Sequence, residues 1–303
     1  MPRFPVIIGP TAGGKSDLAV EVALRLGNAE ILTADAFQIY KGMDIGTAKP
    51  TPAERRGVPH HLIDLVDPAD SFTVADWLAA AEAAVAEVQS RGRTPVLVGG
   101  THLYIKAFLE GLFQGPDPDP ALREQLRALS PAARRAELER IDPEAARRIH
   151  PSDERRTIRA LEVFRQTGTP ITAHQQQWDR TIRTDCTLVG LDWTPETLNP
   201  RINARVRSMM DRGLLDEVRT LRSRFGPQSR EALGYKQLLA HLEGTVGLED
   251  AVEEIKIQTR RFAKNQRTWL RRLRTTPGSI WIDADHIPRD QWPAIVLGSC
   301  SDR

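Results

Sequence analysis

The sequence predicts an α/β protein built on a parallel sheet that is flanked by helices, with an all-helical domain inserted into it. Three observations indicate this class. A glycine-rich loop over residues 9–16 separates a short apolar run from a helical pattern almost at the start of the chain. Strand-like and helix-like segments then alternate to about residue 115, an order that is typical of parallel sheets. A proline-rich segment, Gly115–Pro120, follows and introduces a purely helical pattern.

The first strand is predicted over Phe4–Ile8, a short apolar run just ahead of the loop. The helix after the loop is indicated by apolar residues at helical spacing, namely Leu18, Ala19, Val22, Ala23 and Leu26. A strand that leads through a glycine-rich loop into a helix is the context that a phosphate-binding loop requires.

Two further strands are predicted before residue 115, and each is followed by a polar side chain. Ile31–Ala34 ends at Asp35, and Pro95–Val98 leads through two glycines to Thr101. A helix over about residues 73–92 begins with a capping box and separates the two strands. Because the carboxyl ends of parallel strands meet at one edge of a sheet, we expect Asp35 and Thr101 to lie near the glycine-rich loop.

The segment Gly115–Pro120 marks a change in organisation. Its prolines interrupt regular structure, and the chain up to about residue 185 is then charged and helical, without a strand-like run. Strand-like residues return at Thr187–Leu191, helices fill about 197–272, and a late strand is predicted over Ser279–Ile282. We therefore predict a core domain of residues 1–117 and 186–303 and a helical insertion domain of residues 118–185.

The composition favours a globular enzyme. The 303 residues are 40% hydrophobic and 27% charged, which excludes a disordered chain. The net charge is only +2, so any attraction to nucleic acid must come from local clusters. Cys186 and Cys300 lie far apart, and neither has the spacing of a metal site. With no signal sequence and no apolar run of membrane-spanning length, we expect a cytoplasmic protein that does not contact membranes.

The loop has the complete G-x-x-x-x-G-K-S pattern of a phosphate-binding loop. Backbone N–H groups of such a loop surround an anion, and the following helix adds the positive end of its dipole. In this pattern Lys15 contacts the phosphates and the Ser16 hydroxyl ligates Mg²⁺. The predicted phosphate contacts are Gly9, Pro10, Thr11, Ala12, Gly13, Gly14, Lys15 and Ser16. The loop alone leaves open which phosphate compound binds and which reaction follows.

A basic stripe is the second strong signal. The segment Gln258–Arg274 carries seven basic residues and no acidic one. Five of them follow helical spacing: Arg260, Lys264, Arg267, Arg271 and Arg274. Like charges at this spacing destabilise a helix unless something compensates. RNA phosphates are the favoured interpretation over a solvated face, a membrane surface or buried acids.

A second pattern on the same helix indicates an apolar face that docks on the core, formed by Phe262, Trp269, Leu270 and Leu273. A smaller basic cluster, Arg155, Arg156 and Arg159, opens a helix in the predicted insertion.

Together these segments resemble the tRNA dimethylallyltransferases, also called the tRNA isopentenyltransferase family, in their bacterial form. The matching strings keep the family's order and span nearly the whole chain. They are GPTAGGKS at 9–16, ADAFQIYKGMDIGTAKP at 34–50, PHHLID at 59–64, LVGGTHLY at 97–104, RALEVFRQTGTP at 159–170, GYKQ at 234–237 and QTRRFAKNQRTWLRRL at 258–273.

The resemblance implies a P-loop NTPase-like core and an enzyme that transfers a dimethylallyl group from dimethylallyl diphosphate to tRNA. The acceptor is N6 of the adenosine 3′ to the anticodon, and diphosphate leaves with the help of Mg²⁺ on Ser16. Asp35 takes the proton from the amine, Thr101 contacts the target nucleotide and Asp35, and Arg205 lies on the diphosphate side. We expect a monomer whose partners are tRNA and the diphosphate donor.

The resemblance also implies a set of tRNA contacts. In the core these are Asp35, Ala36, Phe37, Gln38 and Thr101, together with Arg260, Lys264, Arg267 and Arg271 of the stripe. In the insertion they are Arg123, Arg155, Arg156, Thr157, Ile158 and Arg159. The chain departs from the family's usual residues at Ala36, His102 and Asn265, which bears on RNA recognition.

Two other functions remain open on the residues alone. A small-molecule or nucleoside kinase would use the same loop with ATP, but Pro95–Val98 does not end in the acidic residue that this chemistry favours. A non-catalytic RNA-binding protein would keep the loop without using Asp35. Whether ATP also occupies the loop is open.

Overall fold

The computed structural model describes residues 3–113, 115–174 and 183–301. Its strands are β1 (Phe4–Ile8), β2 (Ala29–Ala34), β3 (His60–His61), β4 (Thr94–Gly99), β5 (Cys186–Asp192) and β6 (Ile280–Asp283). They form one six-stranded sheet in the order β3-β2-β4-β1-β5-β6, and every pairing is parallel. The predicted fold class is therefore confirmed. The two-residue strand β3 was not predicted, because two histidines carry no strand pattern.

The helices surround this sheet or lie in the insertion. They are α1 (Lys15–Leu26), α2 (Pro52–Arg55), α3 (Val74–Ser90), α4 (His102–Glu110), α5 (Pro120–Ala128), α6 (Pro131–Ile141), α7 (Pro143–Arg148), α8 (Glu154–Thr167), α9 (Ile171–His174), α10 (Pro195–Asp211), α11 (Leu214–Leu221), α12 (Tyr235–Leu242), α13 (Leu248–Leu273) and α14 (Trp292–Ser301). The predicted capping box is present at the start of α3, where Thr73 and Asp76 satisfy each other's backbone N–H groups.

The sheet is buried on both faces, as expected when helices cover a parallel sheet. All five residues of β1 and all six of β2 are buried. Trp77 of α3 stacks on Tyr104 of α4 with ring centroids 4.5 Å apart, and its indole N–H donates to the carbonyl of Thr33. The sheet therefore presents its strand ends from a rigid, close-packed core.

The chain divides into two compact units. Residues Met1–Phe108 and Thr184–Arg303 form the unit that contains the sheet, and Leu109–Arg183 form the second unit. The described part of the second unit is helical and has an apolar core of its own, in which Leu126, Leu138 and Leu161 are fully buried. It begins earlier than residue 118, because Phe113 packs against this core.

Candidate active site

The phosphate-binding loop joins β1 to α1 and has a fixed backbone shape. The N–H of Gly13 donates to the carbonyl of Pro10 at 3.1 Å. Ala12 and Gly14 have positive φ values of 61° and 84°. A Cβ atom at residue 13 would lie 2.9 Å from the carbonyl oxygen of Pro10, so a larger residue does not fit there. Lys15 is the first residue of α1, and the loop therefore lies at the positive end of that helix.

Side chains distant in sequence hold this loop. The buried amide of Gln266 accepts from the N–H of Thr11 at 2.9 Å and donates to the carbonyl of Gly100 at 2.9 Å. From the other side, the Trp193 indole donates to the carbonyl of Gly13 at 3.1 Å. Arg201 donates to the carbonyl of Ala12 at 3.0 Å. The loop is thus preorganised for an anion, and Gln266 ties it to the end of β4. Sequence reasoning did not single out Gln266 or Trp193.

Replacing Gln266 by glutamate tests this bracing. The carboxylate still accepts from Thr11, but its second oxygen faces the carbonyl of Gly100 without a donor. We expect Gln266→Glu to lower the free energy of unfolding by about 1–3 kcal/mol and to weaken use of the phosphorylated substrate. Denaturant unfolding and the KM for that substrate measure both effects. Gln125→Glu, at an exposed position of α5, is the matched control. Equal behaviour of the two variants would contradict the assignment.

Asp35 and Thr101 come from neighbouring strands. Ala34 of β2 pairs with Gly99 of β4, so the residues that follow emerge side by side. The Oγ1 of Thr101 accepts from the N–H of Ala36 at 3.1 Å. A Cβ atom at residue 99 would lie 2.2 Å from the carbonyl oxygen of Ala34, which explains a glycine at this close approach.

The carboxylate of Asp35 is held through one of its two oxygens. Oδ1 accepts from the N–H groups of Phe37 at 2.9 Å and Gln38 at 3.3 Å. Oδ2 makes no hydrogen bond with the residues that the structure describes. Asp35 lines the same cavity as Lys15 and Ser16. Oδ2 is therefore the oxygen that can accept a proton or a ligand from that cavity.

The electrostatics of the cavity favour an anion. Burial, followed by the nearby charge of Arg205, lowers the pKa of Lys15 to about 8, against the opposing effect of Asp35. Burial likewise lowers the pKa of Arg205, which lines the cavity with Lys15 and Asp35. Burial therefore lowers the pKa values of these two cations more than the nearby acids raise them. A bound diphosphate would stabilise both charges.

A second cavity of about 460 Å³ adjoins the first, since Thr11, Asp35 and Arg205 line both. Its wall is largely apolar and includes Ile202, Val206, Met209, Leu214, Ile255 and Phe262. Ala36, Phe37 and Thr101 line it as well. The site thus combines a polar phosphate end with a largely apolar space.

The side chains present fit a divalent metal at the phosphate end. The Ser16 hydroxyl makes no hydrogen bond with the described residues, and it shares the cavity with the Asp35 carboxylate. In the described part of the chain, no group of three or more His, Cys, Asp or Glu side chains is arranged so that it could hold a metal ion. Oxygen donors in small number are typical of a metal that takes most of its ligands from water and substrate phosphates.

The basic stripe lies on α13 with one exception. Arg260, Lys264, Arg267 and Arg271 line a groove together with the first turn of α10. Lys264 and Arg271 are exposed, whereas the Nε atom of Arg267 is buried without a hydrogen-bond partner in the described structure. Arg274, in contrast, is the C-cap residue of α13 and pairs with Asp192.

The predicted docking face of α13 was partly wrong. Phe262 is 39% exposed and lines both cavities instead of packing in the core. The buried positions of this helix are Ala251, Ile255, Ala263, Gln266 and Leu273. The error arose because a polar residue, Gln266, takes a core position that hydrophobic periodicity alone assigns to an apolar side chain.

In the helical unit, most of the residues implied to contact tRNA make internal contacts. Arg123 binds both oxygens of the fully buried Glu162, at 2.8 and 2.9 Å, and Arg159 donates to the same carboxylate at 2.6 Å. Thr157 and Ile158 are buried. Arg156 pairs with Asp153 at 2.8 Å, and the exposed Arg155 has no partner among the described residues.

A phosphate-binding loop, a carboxylate in the same cavity and an adjoining apolar cavity define a P-loop-type enzyme for a phosphorylated organic substrate. The chain belongs to the IPP transferase family, whose model matches residues 38–273.

Individual relatives agree with this assignment. The chain is 44% identical to a tRNA dimethylallyltransferase of Anaeromyxobacter dehalogenans over 94% of each chain, and 48% identical to one of Bacillus licheniformis over 89% of this chain and 88% of the relative. These relatives give no support to the kinase alternative.

Solved structures lead to the same family. The tRNA isopentenylpyrophosphate transferase of Bacillus halodurans matches with a TM-score of 0.72 and 39% identity, over 99% of this chain and 97% of that one. A eukaryotic dimethylallyltransferase acting on tRNA matches with a TM-score of 0.84 and 29% identity, over 98% and 78%. Among the described residues, no helix is long and apolar enough to span a membrane.

Proposed function

We propose that this protein transfers the dimethylallyl group of dimethylallyl diphosphate to N6 of the adenosine 3′ to the anticodon of tRNA. The allylic C–O bond breaks, a C–N bond forms, diphosphate leaves and one proton leaves the amine. The observation that carries this proposal is the shared cavity: Asp35 lies in one space with Lys15 and Ser16, and an apolar cavity adjoins it.

The leaving diphosphate is assigned to the loop. Backbone N–H groups of Gly14, Lys15 and Ser16, at the start of α1, hold its oxygens, because those of Thr11 and Gly13 are bonded within the protein. Lys15 and Arg205 neutralise the charge that develops as the C–O bond breaks. Ser16 would hold Mg²⁺, which supplies further charge neutralisation on the diphosphate. The apolar wall encloses the dimethylallyl chain and keeps water from the reactive carbon.

Removal of the proton from the acceptor amine is assigned to Asp35. An adenine amine is a weak nucleophile, so a base at the reacting nitrogen is useful. Oδ1 is occupied by two backbone N–H groups, which fixes the carboxylate and leaves Oδ2 to take the proton. Thr101 holds the Ala36 backbone beside it. The target base must leave its stack to reach Asp35, which lines both cavities.

Two surfaces are assigned to the rest of the tRNA. One is the groove of Arg260, Lys264, Arg267 and Arg271. The other is the helical insertion, predicted as residues 118–185, where the exposed Arg155 and Arg156 are the better candidates because Arg123 and Arg159 are engaged with Glu162.

The direct test supplies labelled dimethylallyl diphosphate, Mg²⁺ and an anticodon stem-loop with adenosine at the acceptor position. We expect label in the RNA and released diphosphate. ATP in place of the donor should give no phosphorylated product. Phosphoryl transfer from ATP without prenyl transfer would overturn the proposal in favour of a kinase.

The groove on α13 gives a prediction of its own. Lys264 and Arg271 are exposed, so reversing both to glutamate should spare the fold. Removal of one phosphate-neutralising side chain flattens the slope of log affinity against log salt by about 0.7–0.9. We therefore expect the double variant to bind tRNA more weakly and with a smaller salt slope, while donor binding stays unchanged.

The control reverses two exposed arginines elsewhere, Arg25 and Arg222, which makes the same change in net charge. Titrations of both double variants against tRNA at several salt concentrations separate a local contact from a general charge effect. A folded Lys264/Arg271 variant with the control's affinity and slope would remove the groove from the tRNA surface.

A further inference from the structure

The loop of residues 44–48 is anchored by one carboxylate, that of Glu217 on α11. Its Oε2 accepts from the N–H groups of Asp44 at 3.0 Å and Ile45 at 2.7 Å. Its Oε1 accepts from the N–H of Gly46 at 3.2 Å and from the hydroxyl of Tyr235 at 2.5 Å. Four donors on one carboxylate fix both the carboxylate and the backbone that it binds.

The anchor is rigid because its other partner is buried. Tyr235, the first residue of α12, is completely buried, and a Cβ atom at residue 46 would lie 2.4 Å from its ring. Burial, and then the charge of Glu217, raise the pKa of Tyr235 far above its usual value, so the hydroxyl remains a donor. On the other side of the loop, the buried Lys49 bridges Asp44 and Asp64 at 2.6 Å each.

This loop in turn orients Gln38. The Nε2 of Gln38 donates to the carbonyls of Thr47 at 3.1 Å and Ala48 at 3.2 Å. Because two acceptors flank the same atom, it must be the nitrogen of the amide. The Oε1 atom makes no hydrogen bond with the described residues, and Gln38 lines the cavity of Asp35 and Lys15. Gln38 therefore offers this cavity an acceptor and no donor.

We propose that Glu217, with Tyr235, is a positioning residue for base selection: it holds the 44–48 loop so that Gln38 can present only its carbonyl oxygen to the incoming base. This inference rests on the proposed function. An acceptor in that position complements the N6 amine of adenine and opposes the O6 acceptor of guanine. With guanine in the cavity the Gln38 carbonyl oxygen stays without a donor, and an unpaired buried polar group of this kind strongly disfavours the wrong base.

Glu217→Gln tests the proposal, because it keeps the shape of the side chain and replaces one acceptor by a donor that faces backbone N–H groups. The readout is the ratio of Kd values for two anticodon stem-loops, one with guanosine and one with adenosine at the acceptor position, measured without donor. We expect this ratio to fall by about tenfold or more. The KM for the stem-loop should rise, with kcat and the donor KM near wild type.

Asp216→Asn is the matched control, since it removes the neighbouring, exposed carboxylate of α11, which forms a surface ion pair with Arg219. Tyr235→Phe removes one donor and keeps the ring, and it should shift the ratio in the same direction by less. If Glu217→Gln does not fold, Tyr235→Phe takes its place in the experiment. Folded variants with the wild-type ratio, or a wild-type protein that binds both stem-loops equally, would overturn the inference. Failure of the wild-type protein to transfer the dimethylallyl group would instead overturn the proposed function.

Discussion

Asp35→Asn should reduce kcat by about 10²–10⁴-fold, the usual effect of removing a general base. The asparagine retains Oδ1, which accepts from Phe37 and Gln38, and it replaces only the oxygen that makes no hydrogen bond within the described structure. The fold, donor binding and stem-loop binding should therefore persist. Single-turnover prenyl transfer, with Kd values for both substrates, separates loss of chemistry from loss of binding.

Asp211→Asn is a suitable control, because Asp211 is an exposed carboxylate at the end of α10. It should leave the rate unchanged. If Asp35→Asn turns over at the wild-type rate, Asp35 is not the base and another group in the cavity must take the proton. A parallel loss of stem-loop affinity would assign Asp35 to RNA binding.

The parts of this site that are local in sequence could be predicted from the sequence. The strand, loop and helix around Lys15 are consecutive, and each carries its own pattern. Asp35 and Thr101 could be placed together because parallel strands align their ends, and the pairing of Ala34 with Gly99 does so. The roles of these residues came from the resemblance and stay predictions until tested.

The contacts that hold the site could not be predicted, because they join residues far apart in the chain. Gln266 braces Thr11 across more than 250 positions, and Glu217 holds the loop near Gly46 through backbone N–H groups that have no residue signature. Charge patterns are ambiguous for a related reason. Arg159 belongs to a basic cluster in the sequence, yet in the fold it compensates the buried Glu162 together with Arg123.

Lys15→Met should lower kcat/KM for the donor by about 10²–10³-fold, the scale of losing one preorganised electrostatic contact to the developing charge. Stem-loop affinity should be unaffected, since Lys15 is assigned to the diphosphate. Lys256→Met is the control, because Lys256 lies outside both cavities and pairs with the exposed Glu253 on α13. Steady-state kinetics with each substrate varied in turn measure the two effects. A lower stem-loop affinity with unchanged donor use would contradict the assignment of Lys15.

The charge of Lys15 should also make the donor KM depend on pH. The pKa of Lys15 in the free protein is lowered to about 8, through burial and then through Arg205. A bound diphosphate favours the charged amine and so raises this pKa, which means that binding takes up a proton above pH 8. The donor KM should therefore be flat below about pH 8 and rise about tenfold per pH unit above it. The Lys15→Met variant has no amine that takes up a proton on binding. Its donor KM should therefore be high at every pH and should not show this rise. A wild-type KM that stays flat from pH 7.5 to about 9.5 would mean that Lys15 remains charged without the donor, and that its charge is balanced within the protein.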